Sequence, residues 1–346
     1  MFAKKHLVAA AALMALAGAA QAEVKLYGMI DMSVGSFEDS HVKGADARVT
    51  AVESGKMMTS YFGISGSEDL GGGLKAEFAL ESFLAGDSGA TVGNLNGGFW
   101  GRGSFLALSG GFGKLAIGQY DNPLFTYGYT YNPFGSSMAF SPTMRHYYGV
   151  AGNVFALGVD TGFINSLTYE TPNMGGFMGT VQFAPKESTT DGTKNSYAVA
   201  GSYNAGPFSA ALTYTKAGIT DANTSYLADQ KVWALGTSYD FGVVKAFAQY
   251  TDVQTDAVIG VGDTDIDTKV WQLGLSVPVS DKASVMASYG KFKEKAAGSS
   301  FSDKVFSLGY NYMLSKRTDV YGVFTNNQTT SLESGQTFAV GIRHNF

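Results

Sequence analysis

The feature that most constrains this chain is an alternation of apolar with small or polar residues, which recurs from residue 24 to the end. In 306–312, aromatic and aliphatic side chains occupy every second position, with Ser, Gly and Asn between them. Successive side chains of a β-strand point to opposite faces, so each such stretch predicts a strand with one apolar face. The chain is therefore predicted to be all-β.

Two all-β architectures share this pattern, a soluble sandwich and an outer-membrane barrel. A sandwich turns its polar face to water, yet the faces opposite the apolar ones carry Gly, Ala, Ser, Thr and Asn and few Lys or Glu. Charged residues make up 15% of the chain, against about 25% in soluble domains. Short and long connections alternate, as periplasmic turns and external loops do. We therefore predict a transmembrane antiparallel β-barrel.

The alternating stretches number sixteen, among them 58–68 as the second strand and 99–109 as the fourth. A barrel of sixteen strands leaves an aqueous channel, whereas eight strands are filled by side chains. One connection, 122–162, is much longer than the others and rich in aromatic residues. We expect this third long loop to fold into the lumen and pack against the wall. The aromatic residues selected as candidates in this inward loop are Phe125, Tyr127, Tyr129, Tyr131, Phe134 and Tyr147.

The first 22 residues have the pattern of a secretory signal. Lys4 and Lys5 precede an apolar stretch at 7–17, and residues 20–22 give a small-x-small cleavage pattern. We expect residues 1–22 to be removed after export through the inner membrane. Residues 23–346 then form a single barrel domain.

Composition narrows the possible functions further. The chain has no Cys and a formal net charge of −5. No disulfide or thiolate metal site can form without Cys, and an acidic balance argues against nucleic-acid binding. We expect no cofactor, no metal site and no enzymatic activity.

Several short motifs resemble the Gram-negative general porins of the beta-proteobacterial type. They are LYGMID at 26–31, GISGSEDLGGGLKA at 63–76, ES at 81–82, WGR at 100–102, GQYD at 118–121, NSLTY at 165–169, LSKRTD at 314–319 and the terminal Phe346. The resemblance implies a homotrimer of sixteen-stranded barrels in the bacterial outer membrane, in contact with lipid and lipopolysaccharide. It implies an inward third loop that forms the constriction, and passive diffusion of ions and small hydrophilic solutes.

Charged residues on the lumen-facing positions are the candidates for ion selectivity. Arg102 matches the basic wall residues of the family, whereas Tyr61 stands where such porins often have Arg, so we expect only weak selectivity. A guanidinium facing lipid at mid-depth costs about 2–4 kcal/mol, which favours the lumen for Arg102. The alternation of the predicted strand 99–109 then puts Gly103, Phe105 and Ala107 toward lipid. The other candidates are Arg145 in the long loop and Lys25, Asp31, Glu77, Glu81 and Asp121 on the strands.

Two other functions remain open from the sequence. A substrate-specific channel would use the loop aromatics as a binding site, although we expect them to serve mainly as packing. A barrel-embedded hydrolase would require a Ser–His pair. Residues 23–346 contain only His41, His146 and His344, and no motif marks a nucleophile.

Assembly has its own sequence signals. The last strand ends in Phe346, which resembles the C-terminal signal read by the outer-membrane assembly machinery. Small residues predicted to face outward, Gly28, Ala76, Gly103 and Ala107, would allow close approach between barrels.

Overall fold

The computed structural model describes residues 23–92, 98–148, 161–187, 189, 193–218, 229–256 and 265–346. The predicted signal segment, 1–22, lies outside the described residues. The described strands are β1 Glu23–Phe37, β2 Val49–Ser54, β3 Tyr61–Gly71, β4 Leu74–Ala85, β5 Ala90–Thr91, β6 Gly103–Gly110, β7 Gly113–Asp121, β8 Gly162–Glu170, β9 Phe177–Ala184, β10 Ser196–Ala205, β11 Phe208–Ala217, β12 Gln230–Asp240, β13 Lys245–Thr255, β14 Ile266–Ser280, β15 Ala283–Ala296, β16 Ser299–Met313, β17 Thr318–Thr329 and β18 Gly335–Asn345. The helices are α1 Pro123–Thr130 and α2 Pro142–Tyr148.

The sheet closes on itself to form a barrel. Sequential strands pair antiparallel, and β18 pairs with β1 in a register that puts Asp31 opposite Arg343. The two halves of β1 pair with β2 and with β3, so those two strands share one position in the wall. The two-residue β5 pairs antiparallel with the last two residues of β4 and adds no position to the wall, because β4 pairs directly with β6. The predicted barrel of sixteen antiparallel strands is confirmed.

The second wall position differs from the predicted single strand at 58–68. Residues 55–60 leave the sheet between β2 and β3, and the buried carboxylate of Asp31 holds them there. Its Oδ2 accepts hydrogen bonds from the backbone N–H groups of Met57 at 2.6 Å and Met58 at 3.0 Å. The distortion begins at Gly55, whose φ of +74° favours glycine.

The two faces of the wall follow the predicted alternation. Large apolar side chains are exposed on the outer face, among them Leu106 and Ile117 at 62% and 63%. In the part of the chain that the structure describes, no helix is long and apolar enough to cross a membrane.

The alternation was assigned wrongly in 99–109. Phe105 and Ala107 face inward: the Phe105 ring lies under the ammonium of Lys114, and Ala107 is buried. A Cβ at Gly103 would point toward Glu81. Arg102 also faces inward, because it lies before β6 and outside the alternation of that strand. A one-residue error of this kind exchanges the two faces of a strand.

The long connection after β7 contains two short helices that the sequence analysis did not assign. The side chain of Asn122 caps α1 by accepting a hydrogen bond from Leu124 N at 2.9 Å, and Pro123 occupies the first turn. Both choices are favourable at a helix start. The capped helix directs the chain away from the end of β7.

The described part of this connection packs against the inner face of the wall through two apolar clusters. In the first, Leu124 and Tyr147 contact four wall residues that interrupt the otherwise small or polar inner face: Val232, Val253, Val270 and Phe292. In the second, Phe134 and Phe140 contact wall residues that include Met286, Tyr321 and Val323.

Candidate functional site

Arg102 lies at the centre of a compact charged cluster on the inner wall. Its guanidinium forms an ion pair with Glu81 of β4 and stacks on the ring of Tyr61, with 4.1 Å between Cζ and the ring centroid. Cation–π contact with an aromatic face adds to the attraction of the carboxylate. The structure therefore brings together three of the predicted site residues.

Backbone and side-chain contacts fix this cluster in place. The hydroxyl of Tyr27 donates a hydrogen bond of 2.5 Å to Glu81 Oε1, and Arg102 N donates one of 3.2 Å to the Glu81 carbonyl. Gly63 leaves space for the pair, because a Cβ there would lie 2.9 Å from Glu81 Cγ. Tyr27 was not among the predicted site residues, although Tyr27 shares the parity of Lys25 and Asp31 on β1.

Two further predicted acids lie on strands adjoining this cluster. Asp121, the last residue of β7, interacts electrostatically with Arg102. Glu77 of β4 forms an ion pair of 2.6 Å with Lys114 and accepts a hydrogen bond of 2.8 Å from Ser109. Lys114, which the sequence analysis did not select, neutralises Glu77.

Arg145 belongs to α2 and pairs with a residue far away in sequence. Its Nη2 lies 2.7 Å from Oδ1 of Asp39, in the segment that follows β1, and its side chain is 10% exposed. Asp39 was not predicted. No spacing in the sequence connects these two residues, because the barrel closure brings them together.

Asp31 and Lys25 have different surroundings from the Arg102 cluster. Asp31 is fully buried and accepts a hydrogen bond of 2.8 Å from the Tyr321 hydroxyl, in addition to its two backbone donors. Lys25 is exposed and lies 3.1 Å from Glu23 at the start of β1. The contacts of Asp31 stabilise the break between β2 and β3, and a part for either residue in selectivity stays a prediction.

Four of the six predicted loop aromatics are buried against neighbouring groups: Phe125, Tyr131, Phe134 and Tyr147. The hydroxyl of Tyr131 lies 2.9 Å from Ser209 Oγ of β11, and that of Tyr147 hydrogen-bonds Thr251 of β13. Tyr127 and Tyr129 are half-buried. Burial of the four rings fits the packing interpretation of these aromatics.

Four inner-wall glycines make room for the loop. A Cβ at Gly236 would lie 2.2 Å from the Tyr131 ring, and one at Gly309 would lie 2.8 Å from Phe134. At Gly274 and Gly290 the nearest atoms would belong to Pro133 and Pro142, each at 2.5 Å. Glycine at these positions allows the backbone of the wall to approach the loop closely.

His146 of α2 makes a buried contact that sequence reasoning did not identify. Its Nε2 lies 3.0 Å from Oδ2 of Asp303 on β16, and neither side chain is exposed. Burial, which disfavours the charged imidazolium, lowers the pKa of His146 below its ordinary value. The pair connects α2 to the wall.

Of the remaining histidines, His41 contacts Glu333 and a backbone carbonyl, and His344 contacts Thr318. Among the described residues, none of the three histidines hydrogen-bonds a serine. That part of the chain also contains no group of three or more acidic or histidine side chains placed to hold a metal ion.

Comparison with known proteins agrees with this architecture. The family model of the Gram-negative porins matches residues 9–332. Outer membrane porin protein 32 of Delftia acidovorans is 35% identical over 98% of this chain and 95% of its own length. An outer membrane porin protein of Bordetella pertussis is 31% identical over 99% of this chain and 100% of its own length.

The fold comparison leads to the same family. The anion-selective porin from Comamonas acidovorans superimposes with a TM-score of 0.76 and 28% identity, covering 94% of this chain and all of that structure. The sixteen-stranded barrel matches such a channel along almost its whole length. The chain therefore belongs to the Gram-negative porin family and is a channel-forming β-barrel of the bacterial outer membrane.

Proposed function

We propose that this porin is a passive, weakly ion-selective pore for ions and small hydrophilic solutes, narrowed by the connection 122–162. The observation that carries the proposal is the ion pair between Arg102 and Glu81. A fixed charge attracts counter-ions within about a Debye length, and an adjacent opposite charge cancels most of that field. The paired Arg102 therefore exerts little selectivity of its own.

Two further ion pairs among the described residues are balanced in the same way. Glu77 faces Lys114 at 2.6 Å, and Arg145 faces Asp39 at 2.7 Å. Asp121 adds a negative charge near Arg102. Strong attraction for anions would require basic groups in excess, and Tyr61 contributes none.

Anion selectivity is the second candidate, because the related solved structure is that of an anion-selective porin. The two candidates differ in the reversal potential across a salt gradient, which is near zero for a weakly selective pore. A substrate-specific channel with an aromatic binding site would show saturable flux. Family membership, and the burial of four of the six loop aromatics, support a weakly selective or an anion-selective pore over such a channel. Family membership also supports a channel over a barrel-embedded hydrolase.

The test uses Arg102→Ala in a planar lipid bilayer. Loss of the guanidinium leaves Glu81 and Asp121 without their cation, so we expect the reversal potential to move toward cation selectivity. The shift should be larger at 0.1 M salt, where the Debye length is about 10 Å, than at 1 M, where it is about 3 Å.

Two variants control this measurement. Arg48→Ala removes the same charge from a more exposed pair with Glu38, and it should shift the potential much less. The double variant Arg102→Ala/Glu81→Gln removes both members of the central pair and should restore nearly the parental value. An unchanged potential for Arg102→Ala at low salt would contradict a position for Arg102 at the narrowest point.

A homotrimer is the second part of the proposal, and it rests on the family resemblance. The small residues contribute less than the sequence implied, because Gly103 and Ala107 face inward and Gly28 leaves space for the Phe346 ring. Of the four, only Ala76 remains a candidate for close approach between barrels. A purely monomeric, conducting species in light scattering would contradict the trimer.

A further inference from the structure

A cavity lies on the inner side of the barrel rim, at the end where β1 and β17 finish. Its volume is about 350 Å³, within the range of about 300–1,000 Å³ that small-molecule sites have. This end carries the connection 38–48, and longer connections face the exterior in outer-membrane barrels. We name the cavity the rim hollow. Its charged and aromatic lining includes Phe37, Asp39, Glu53, Lys56, Phe140 and Arg145.

Two sides of the rim hollow are held by the sheet and by backbone hydrogen bonds. The segment after β1 turns back over the rim, where His41 and Glu333 exchange two backbone hydrogen bonds of 3.1 and 2.8 Å. On the side of the wall, Thr325 of β17 lies directly opposite Thr337 of β18, and both are buried on the inner face. The rim hollow is therefore a built feature of the barrel mouth.

Two ion pairs from different segments line the rim hollow. Lys56 Nζ lies 3.4 Å from Glu53 Oε2, in the part of the chain where the second wall position is interrupted. Arg145 Nη2 of α2 lies 2.7 Å from Asp39 Oδ1, which belongs to the segment after β1. Positive and negative groups thus occupy the same small cavity.

The remaining acid of the lining does not disturb this balance. Glu38 lines the rim hollow and forms an ion pair with Arg48. Together with the two pairs already described, three carboxylates therefore face three Lys or Arg side chains. A site without an excess of either sign has a weak mean field, so it attracts neither a simple anion nor a simple cation strongly.

The paired groups keep hydrogen-bonding positions for a further partner. A guanidinium has five N–H donors. Among the described residues, the Arg145 side chain uses one of them, toward Asp39, and its buried Nε has no partner. The side chains of Asp39 and Glu53 are 53% and 37% exposed, and a carboxylate offers about four acceptor positions. A solute with both an anionic and a cationic group would use both kinds of position.

Apolar side chains lie beside these charges. The Phe37 ring lies next to the ammonium of Lys56, with 5.0 Å between Nζ and the ring centroid. Val49, which pairs in register with Phe37, and Phe140 before α2 also line the rim hollow. Removal of a short hydrocarbon group from water against such side chains is favourable.

We propose that the rim hollow binds small zwitterionic solutes, with α-amino acids of short apolar side chain as the type. The carboxylate of the solute would contact Lys56 and Arg145, and its ammonium would contact Asp39 and Glu53. An anion alone would also meet the two acids, and a cation alone would also meet the two bases. Only a solute that carries both charges matches both halves of the lining.

The test measures binding of L-valine to the purified porin in a neutral detergent by saturation-transfer NMR. N-acetylvaline, which has only the carboxylate, and valinamide, which has only the ammonium, are the comparison ligands, used at about pH 6, where the amines are protonated. We expect the porin to bind valine at least about tenfold more tightly than either, the effect of one charge-assisted hydrogen bond. Glycine should bind more weakly than valine, because it lacks the apolar contact.

Single-charge variants should change which ligand is preferred. Lys56→Gln leaves an excess of negative charge, so it should bind valine about tenfold more weakly than the parent and valinamide more tightly. Glu53→Gln leaves an excess of positive charge and should bind N-acetylvaline more tightly than the parent. These side chains are 29% and 37% exposed, so the unfolding temperature should change little. Lys231→Gln, which removes a lysine from an exposed pair with Asp256 outside the rim hollow, is the matched control and should leave all affinities unchanged.

Three results would overturn the proposal. Equal affinity of the parent for valine and N-acetylvaline would indicate a general anion site. Valine binding that both Lys56→Gln and Glu53→Gln leave unchanged would place the bound solute elsewhere, and absence of valine binding to the folded parent would exclude the site. The proposal goes beyond conduction through the pore. Because binding is measured without a current, its failure is distinguishable from a failure of the reversal-potential test on Arg102→Ala.

Discussion

Substitution of Gly236 by Ala tests how the long connection is seated on the wall. A Cβ at this position would lie 2.2 Å from Cδ2 of Tyr131, whereas ordinary contacts begin at 3.4 Å. The ring must therefore recede by at least 1.2 Å, the difference between these distances. Its movement is away from the wall, and so toward the lumen.

The size of the effect follows from the contacts of Tyr131. Overpacking of a well-packed site costs about 1–3 kcal/mol, and loss of the hydrogen bond to Ser209 costs about 1 kcal/mol more. The docked arrangement of this part of the loop should thus lose about 2–4 kcal/mol. At about 1.4 kcal/mol for each tenfold change, the ratio of docked to undocked loop falls about 30-fold to 700-fold.

The assay is single-channel recording, in which Gly236→Ala should lower the mean conductance and increase current noise. Gly201→Ala is the matched control, because a Cβ at this strand glycine would have no neighbour within 4 Å. In a Tyr131→Ala background, the substitution at Gly236 should have almost no further effect, since the clashing ring is absent. Parental conductance and noise in Gly236→Ala would refute the reasoning.

Three other predictions concern single contacts. Because burial lowers the pKa of His146, docking of α2 should be fully stable above the ordinary pKa of about 6.5 and should weaken as the pH falls toward the lowered pKa. Current noise should therefore rise in acid for the parent and for the control His41→Gln. The variant His146→Gln should lose this response. Phe346 exchanges two backbone hydrogen bonds with Gly28, of 3.1 and 3.2 Å, so its deletion should reduce the outer-membrane yield measured by fractionation, whereas Phe338→Ala on the same outer face should not. Tyr321→Phe removes a hydrogen bond to the buried carboxylate of Asp31 and should cost about 1.5–3 kcal/mol of unfolding free energy in a denaturant titration; no change there would mean that the backbone donors alone satisfy Asp31.

The wall of the barrel was predictable from the sequence because its strands obey a strict period of two. The prediction failed where that period is interrupted. Asp31 holds residues 55–60 out of the sheet, and a single buried carboxylate leaves no periodic signal. Arg102 lies before β6, but the predicted strand 99–109 included it in the alternation. Phe105 and Ala107 were therefore assigned to the wrong face.

The partners of the site residues were harder to predict than the residues themselves. Arg102, Glu81 and Tyr61 were selected from parity and family motifs, yet their contact depends on the cross-strand register of β3, β4 and β6. The pairs Arg145–Asp39 and His146–Asp303 connect residues more than a hundred positions apart. The helix start at Asn122 and Pro123, in contrast, is a local signal that the sequence does carry.

Apolar residues at polar positions of the wall identify where the long connection docks. On the inner face, Val232 lies directly opposite Val253, and Val270 lies directly opposite Phe292. Side chains that line a water-filled lumen have no reason to be apolar, so these four positions are explained only by a covering element. Leu124 and Tyr147 supply that cover. In a barrel of this kind, apolar residues that break the polar parity of consecutive strands therefore predict the site of loop docking, even when the loop itself has no periodic pattern.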